Sequence, residues 1–261
     1  MEPIYNTIGT TYNTTRQADP YITSRILHFL NHQAGNHYLD IGCGTGNYTI
    51  ALSNQGLDFT GVEPSEKMLT EARVRSQKVT WLQGTAENIP ADDETFDGII
   101  ATLTIHHWVN LEKALKELYR VAKQGAKIVF FTATPQQMSG YWLNRYFPQM
   151  MSAAIVQMPS FEKISEALDN EGFAISTLEK YLIQDDLLDR FLYAGKNKPE
   201  LYLDEAIRTG ISSFAALANV NEVDAGILKL HSDIVSGRFT AVKERYDNEL
   251  GDYLFVVAGK I

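Results

Sequence analysis

The segment Asp40-Ile41-Gly42-Cys43-Gly44-Thr45-Gly46-Asn47 places a glycine at every second position directly behind a short apolar run, His37-Tyr38-Leu39. With no side chains in the way, the backbone of such a turn can lie against a ligand and offer its N–H groups. That chemistry is the binding of a nucleotide-like cofactor, although a purely structural turn has the same glycine spacing. A dinucleotide fingerprint reads G-x-G-x-x-G and uses its last glycine to bring a pyrophosphate to a helix N-terminus. Here the third glycine arrives one residue early, and Asn47 holds the fingerprint position. Asp40, two residues before the first glycine, would repel a diphosphate but could pair with an ammonium or a hydroxyl. The loop suits a cofactor without phosphates.

A second apolar run, Phe59-Thr60-Gly61-Val62, ends in a carboxylate, Glu63. It lies about twenty residues beyond the first glycine, the separation at which a doubly wound sheet brings an acid to the ribose hydroxyls of an adenosine. Glu63 also precedes Pro64 and Ser65 at the head of an amphipathic run through Met68, Leu69 and Ala72, where acids favour a helix N-terminus. The two roles are compatible.

Further landmarks follow in order: Gly84-Thr85-Ala86-Glu87-Asn88-Ile89-Pro90, Phe96-Asp97, Ile105-His106-His107-Trp108, and Glu117 through Arg120 and Lys123 to Gly125. With these and the two earlier segments, the chain resembles the class I S-adenosylmethionine-dependent methyltransferases. Within them it is similar to the branch of ubiquinone/menaquinone C-methyltransferases and other small-molecule enzymes. The likeness is strong over roughly residues 1–134 and weak beyond. It implies S-adenosylmethionine as cofactor. Gly42, Gly44 and Gly46 would pass by the donor's amino-acid portion and ribose, with Asp40 ordering the amino group or a water. Glu63 would accept from the ribose, and the Ala86 N–H would face the adenine. Met68 and Leu103 would lie along the donor. Thr85 departs from the aspartate often found there, and Glu87 is the neighbouring carboxylate. In the N-terminal covering segment, Tyr12 could cap the pocket and Arg16 could grip the donor's carboxylate through a bidentate fork.

Methyl transfer from a sulfonium is an in-line displacement, so donor carbon and acceptor atom must be held about 3 Å apart, collinear, and away from water. His106-His107-Trp108 follow the fourth strand, at the end of the sheet where open α/β folds bind ligands. Either histidine, His107 foremost, could act as general base on a hydroxyl acceptor, and Trp108 could meet the acceptor. Tyr141, Trp142 and Tyr146 belong to an aromatic and methionine-rich stretch suited to an apolar acceptor pocket or to plain packing. The function expected is methyl transfer to a small apolar or aromatic molecule. The alternatives are a donor-binding protein without transfer activity and a nicotinamide-dependent oxidoreductase.

The elements that must position these residues alternate βαβα. Strands are expected at His37–Ile41, Asp58–Val62, Val79–Gln83, Phe96–Thr102, Lys127–Thr132, Ile175–Ile183 and Asp252–Ala258. Helices are expected at Ile22–His32, Tyr48–Asn54, Ser65–Arg75, Leu111–Lys123 and Phe161–Glu171. With the resemblance, this is an α/β, Rossmann-like, doubly wound sheet of seven strands, mostly parallel with the last antiparallel. The expected parts are an N-terminal helical cap over 1–36, a donor-binding core over 37–134, a helical and aromatic segment with strand six over 135–184, and the last strand over 251–261. Residues 185–250 depart from the family, which usually joins its last two strands by a short turn; their spacing predicts a helical lid.

At 261 residues, 44% of them hydrophobic, the chain can bury a substantial core. Its formal net charge of −9, with no basic run, argues against a nucleic-acid partner. The single cysteine, Cys43, permits no intramolecular disulfide and no cysteine-based zinc site. No metal is expected, nor a membrane segment. A cytoplasmic monomer or homodimer acting on a small molecule is the expectation.

Overall fold

The computed structural model describes residues 15–261; Tyr12 lies outside the described residues, as does the part of the expected cap before residue 15. Strands β1 (His37–Ile41), β2 (Asp58–Glu63), β3 (Thr80–Gln83), β4 (Phe96–Thr102), β5 (Ala122–Thr132), β6 (Phe173–Tyr181) and β7 (Tyr253–Lys260) form a seven-stranded sheet in the order β3-β2-β1-β4-β5-β7-β6. The pairs among β1 to β5 are parallel, and β7 runs antiparallel to both β5 and β6. This is a Rossmann-like α/β fold. No helix among the described residues is long and apolar enough to cross a membrane.

Alternation along the central strands feeds two apolar layers. Tyr38, Ile100, Val129 and Phe131 point to one face, and Leu39, Ile99, Ile128 and Phe130 to the other, so neighbouring residues enter opposite cores. On the first face lie α1 (Pro20–Leu30) and α2 (Asn47–Ser53), and on the second α4 (Leu111–Val121) and α7 (Phe161–Asn170), while α3 (Glu66–Arg75) connects β2 to β3. The caps follow local chemistry. Asp19 accepts from the N–H groups of Tyr21 and Ile22 just before Pro20, Ser65 accepts from Met68, and Asn110 accepts from Lys113.

Some boundaries differ from expectation. Helix α4 stops at Val121, because Ala122 already pairs with Phe96 at the start of β5, and the register shifts between Phe96 and Gly98. Between β5 and α7 the helical and aromatic segment expected from residue 135 contains α5 (Pro135–Ser139), a 3₁₀ turn at Trp142–Arg145 and α6 (Pro148–Gln157), bounds for which no expectation was given. The expected helical character after β6 takes the form of a 3₁₀ turn at Pro199–Leu203, then α8 (Glu205–Thr209), α9 (Ser212–Ala216), α10 (Val220–Val235) and α11 (Phe239–Arg245).

Tyr141, Trp142 and Tyr146 are the seam between this segment and the rest. Tyr141 stacks on Tyr193 with ring centroids 3.8 Å apart, the Trp142 indole donates to the Lys196 carbonyl at 3.0 Å, and the Tyr146 hydroxyl donates to Asp233 at 3.1 Å. Close by, Lys196 ion-pairs with Asp252 at 2.7 Å, and Asp252 also accepts from the Ile183 N–H at 2.8 Å. Removing the acid would leave a part-buried ammonium and a buried N–H without this partner. Asp252→Ala should therefore cost roughly 3 kcal/mol of stability, read as a lower urea midpoint; an unchanged midpoint would show that the pair holds nothing.

Candidate donor and acceptor site

The carboxyl ends of β1, β2 and β4 meet at a cavity of about 360 Å³. Its floor is the turn after β1, where Gly42, Gly44 and Gly46 have φ of +73°, +57° and +80°, values that L side chains rarely adopt. Space forbids side chains at two of them as well. A Cβ at residue 42 would lie 2.0 Å from Thr104 Oγ1, and one at residue 46 would lie 2.4 Å from the Trp81 ring. Gly44 meets only Met68 Sδ, at 3.7 Å, so its backbone fronts open space. The turn is pinned to β2 by Gly42 and Cys43 N–H groups donating to the Val62 carbonyl at 2.8 and 3.1 Å.

Glu63 stands at the end of β2 and is 4% exposed. One carboxylate oxygen accepts from the Gly44 N–H at 3.1 Å and the other from the Ser65 N–H at 2.9 Å. It thus serves as the acid at the head of α3 and borders the cavity too. Burial pushes its carboxyl above the ordinary range, opposed by the two N–H donors. Asp40 is buried in the same wall and accepts from the Thr49 hydroxyl at 2.6 Å. Burial above all, with Glu63 adding to it, raises Asp40 to about 7. It therefore carries only part of a charge at neutral pH, which weakens the repulsion of a diphosphate expected from a full carboxylate.

The third strand end holds the histidines. Leu103, at the cavity, has φ +54°, a strained value for a leucine, and a 3₁₀ turn over Ile105–His107 follows. The rings of His106 and His107 lie 3.9 Å apart. Burial drives both imidazoles towards the neutral form, His107 to about 4 and His106 well below its ordinary value; the neighbouring His107 and then Arg16 depress His106 further. Thr102 Oγ1, His106 Nδ1 and Trp108 Nε1 are buried atoms without hydrogen-bond partners, and all three residues belong to the cavity wall.

Thr85, Ala86 and Glu87 also line the cavity. Thr85 and Asn88 exchange backbone hydrogen bonds, and Glu87 Oε1 accepts from the N–H groups of Val109 and Asn110 at 2.7 and 3.2 Å, tying that turn to the histidine turn. Arg16 is on the wall as well. Its Nε lies 2.5 Å from Asp189 Oδ1, Tyr48 donates to the other oxygen of Asp189 at 3.1 Å, and Asn47 donates to the Arg16 carbonyl at 3.0 Å.

The structure therefore brings together at one cavity Arg16, Asp40, Gly42, Gly44, Glu63, Met68, Thr85, Ala86, Glu87, Leu103, His106, His107 and Trp108, all read from the sequence. Gly46 turns inward on Trp81 and supports the loop from behind. Tyr141, Trp142 and Tyr146 are a correction: they are absent from the wall and packed in the seam described above. The apolar wall is formed by others, among them Met138, Met158, Leu192, Ile211 and Leu217. Asp189 and Tyr48 were not foreseen, since nothing in the local sequence marks an acid whose partner is 173 residues away.

Fold and site together define a Rossmann-like protein with a cavity at the carboxyl ends of its parallel strands. A family model described as a methyltransferase domain matches residues 39–130. A demethylmenaquinone methyltransferase of Anoxybacillus flavithermus is 31% identical over 182 residues, covering 64% of this chain and 72% of that one. An uncharacterized methyltransferase of Mycobacterium bovis is 30% identical, covering 51% and 54%, so this chain spans about half the length of that relative. Among solved structures, a protein from Anabaena variabilis described as a methyltransferase from an antibiotic biosynthesis pathway is 35% identical with a TM-score of 0.84, covering 95% of this chain and 99% of that one. The chain belongs to the class I S-adenosylmethionine-dependent methyltransferase family.

Asp40 provides a test independent of any ligand. Its folded value of about 7 lies above the unfolded 3.8, so the stability it contributes is complete below pH 3.8 and is lost as pH rises through about 7. Asp40→Asn removes that loss. The variant should gain on the parent between pH 4 and pH 7, by up to roughly 4 kcal/mol, measured by urea denaturation at several pH values. A difference independent of pH would contradict the buried, protonated carboxyl.

Proposed function

We propose that the protein transfers the methyl group of S-adenosylmethionine to a small apolar or aromatic acceptor by in-line displacement. The observation that carries this is the enclosure, within one cavity, of a side-chain-free turn, a buried carboxylate at the end of β2 and a neutral histidine pair at the end of β4. The residues fit the donor. The backbone at Gly42 and Gly44 leaves room for its amino-acid and ribose portions. Glu63 spends one lone pair of each oxygen on an N–H and keeps acceptor capacity for ribose hydroxyls. Thr85 and Ala86 flank the adenine, Met68 and Leu103 border the donor, and Arg16, oriented by Asp189, faces its carboxylate. S-adenosylmethionine supplies an electrophilic methyl group on a sulfonium.

The protein's own contribution is placement and exclusion of water. Uncharged imidazoles put no competing cation beside a sulfonium. Residues from the segment between β6 and β7, Ile211, Ala216 and Leu217 among them, close the far side of the cavity as a lid. That side is largely apolar, with Ser212 and Ser213 set between Ile211 and Ala216; this supports a small, mainly apolar acceptor, and the name of the demethylmenaquinone relative agrees with such chemistry.

Thermal unfolding with added ligands tests this reading. S-adenosylmethionine and S-adenosylhomocysteine should each raise the melting temperature and NAD should not; stabilisation by NAD alone would overturn it. Glu63→Ala should weaken S-adenosylhomocysteine at least about tenfold by calorimetry, and label from the donor should appear in a compound of a metabolite extract.

A further inference from the structure

An arginine side chain is long and flexible, so a precise grip on a ligand has to be set by its neighbours. Around Arg16 two pieces of chain lie side by side. The Arg190 N–H donates to the Thr15 carbonyl at 3.0 Å, the Leu188 N–H donates to Asp19 Oδ2 at 3.1 Å, and between these two contacts Arg16 meets Asp189. Asp19 caps α1 through its other oxygen, so the clasp is tied to the start of that helix. On the other side, the Phe191 ring packs edge-on against Phe131 of β5 and Tyr253 of β7. A stretch without helix or strand thus delivers Asp189 into the interior, where it is 1% exposed.

The contact with Arg16 is bidentate. Asp189 Oδ1 accepts from Nε at 2.5 Å and Oδ2 from Nη2 at 3.3 Å, which fixes the plane of the guanidinium. Both partners are tied to the glycine turn, because α2 begins where that turn ends. Asn47, the first residue of α2, donates to the Arg16 carbonyl at 3.0 Å, and Tyr48, the second, donates to Asp189 Oδ2 at 3.1 Å. Arg75 donates to Asn47 Oδ1 at 2.7 Å, which turns the amide N–H of Asn47 towards Arg16. Burial keeps the Tyr48 phenol protonated. Guanidinium, carboxylate and glycine turn form one frame, and all three border the cavity.

Asp189 can act on a ligand through Arg16 in two opposite ways. As a counter-charge it weakens the pull of the guanidinium on an anion; as a brace it spares the rotamer freedom that Arg16 would otherwise lose on binding one. The bidentate contact and the double tie to α2 favour the brace. We propose that Asp189 is a positioning residue, which holds Arg16 in the plane that receives the donor's α-carboxylate and so lets the site tell an adenosyl ligand bearing that group from one without it. This rests on the methyl-transfer reading above. It makes the stretch after β6, whose Phe191 and Leu192 line the same cavity, part of donor recognition as well as of enclosure.

The whole protein is titrated by calorimetry with S-adenosylhomocysteine, with its decarboxylated analogue, which keeps the ammonium, and with methylthioadenosine, which has neither group. Asp189→Asn keeps the shape and removes the charge. It should weaken S-adenosylhomocysteine about fivefold and leave the other two ligands within about twofold. Tighter or unchanged binding of S-adenosylhomocysteine would overturn the proposal, as the result for a counter-charge or for no role. Equal weakening of all three would overturn it as well, since a merely structural residue does that. Weakening of both ammonium-bearing ligands but not of methylthioadenosine would place Asp189 on the donor directly, against the proposal. If Asp189→Asn does not fold, Tyr48→Phe, which takes one hydroxyl from Oδ2, decides: selective loss for S-adenosylhomocysteine of about threefold supports the brace, and its absence overturns it. Failure of the parent protein to bind S-adenosylhomocysteine would instead overturn the donor reading, so the two failures are distinguishable.

Discussion

A carboxylate held in the interior by backbone N–H groups is costly to place and hard to displace, and Glu63 is so held. Its two oxygens take N–H groups from separate loops, Gly44 after β1 and Ser65 before α3. Either donor alone would leave half of a buried anion exposed to an apolar medium. Satisfying both fixes the glycine turn against the end of β2. That path brings residue 42 so close to Thr104 that no Cβ fits, which sets the end of β4 relative to the end of β1. Three strand ends are thereby brought into one arrangement, and the histidine turn inherits its position from it.

Local rules account for what the sequence disclosed. The glycine turn, the acid ending β2 and the turn after β4 each follow a strand whose apolar pattern is plain, and parallel topology brings such ends together. The bounds of α5 and α6 carry local signals: Thr134 and Gln137 form a reciprocal capping box, and Pro148 stands in the first turn of α6. The aromatic stretch misled for a different reason. Large rings satisfy a pocket and a packing seam equally well, and only long-range contacts such as Tyr141 on Tyr193, or Trp142 with Lys196, decide between them. Asp189 had no local signal at all, because its role exists only through Arg16 and Tyr48.

The cavity handles its acids in three ways. Asp189 is neutralised by a guanidinium, Glu63 is stabilised by amide dipoles, and Asp40 gives up much of its charge to burial. The floor is therefore polar without being strongly negative. The histidines add no positive charge to it, since burial drives both towards the neutral form.

The knot of Arg16, Tyr48 and Asp189 joins three parts of the chain distant in sequence, and the Arg190 N–H donating to the Thr15 carbonyl at 3.0 Å reinforces it. In terms of contact order, the wall of the cavity is among the most non-local features of the molecule, and the glycine turn is among the most local. Loop-closure entropy must be met over most of the chain before that wall exists. The glycine turn and its strands rest on contacts closer in sequence, whereas the Arg16 side of the wall needs residue 189 docked on residue 16. The enclosed site is thus a property of the whole chain, and the Rossmann-like core by itself has only the cradle.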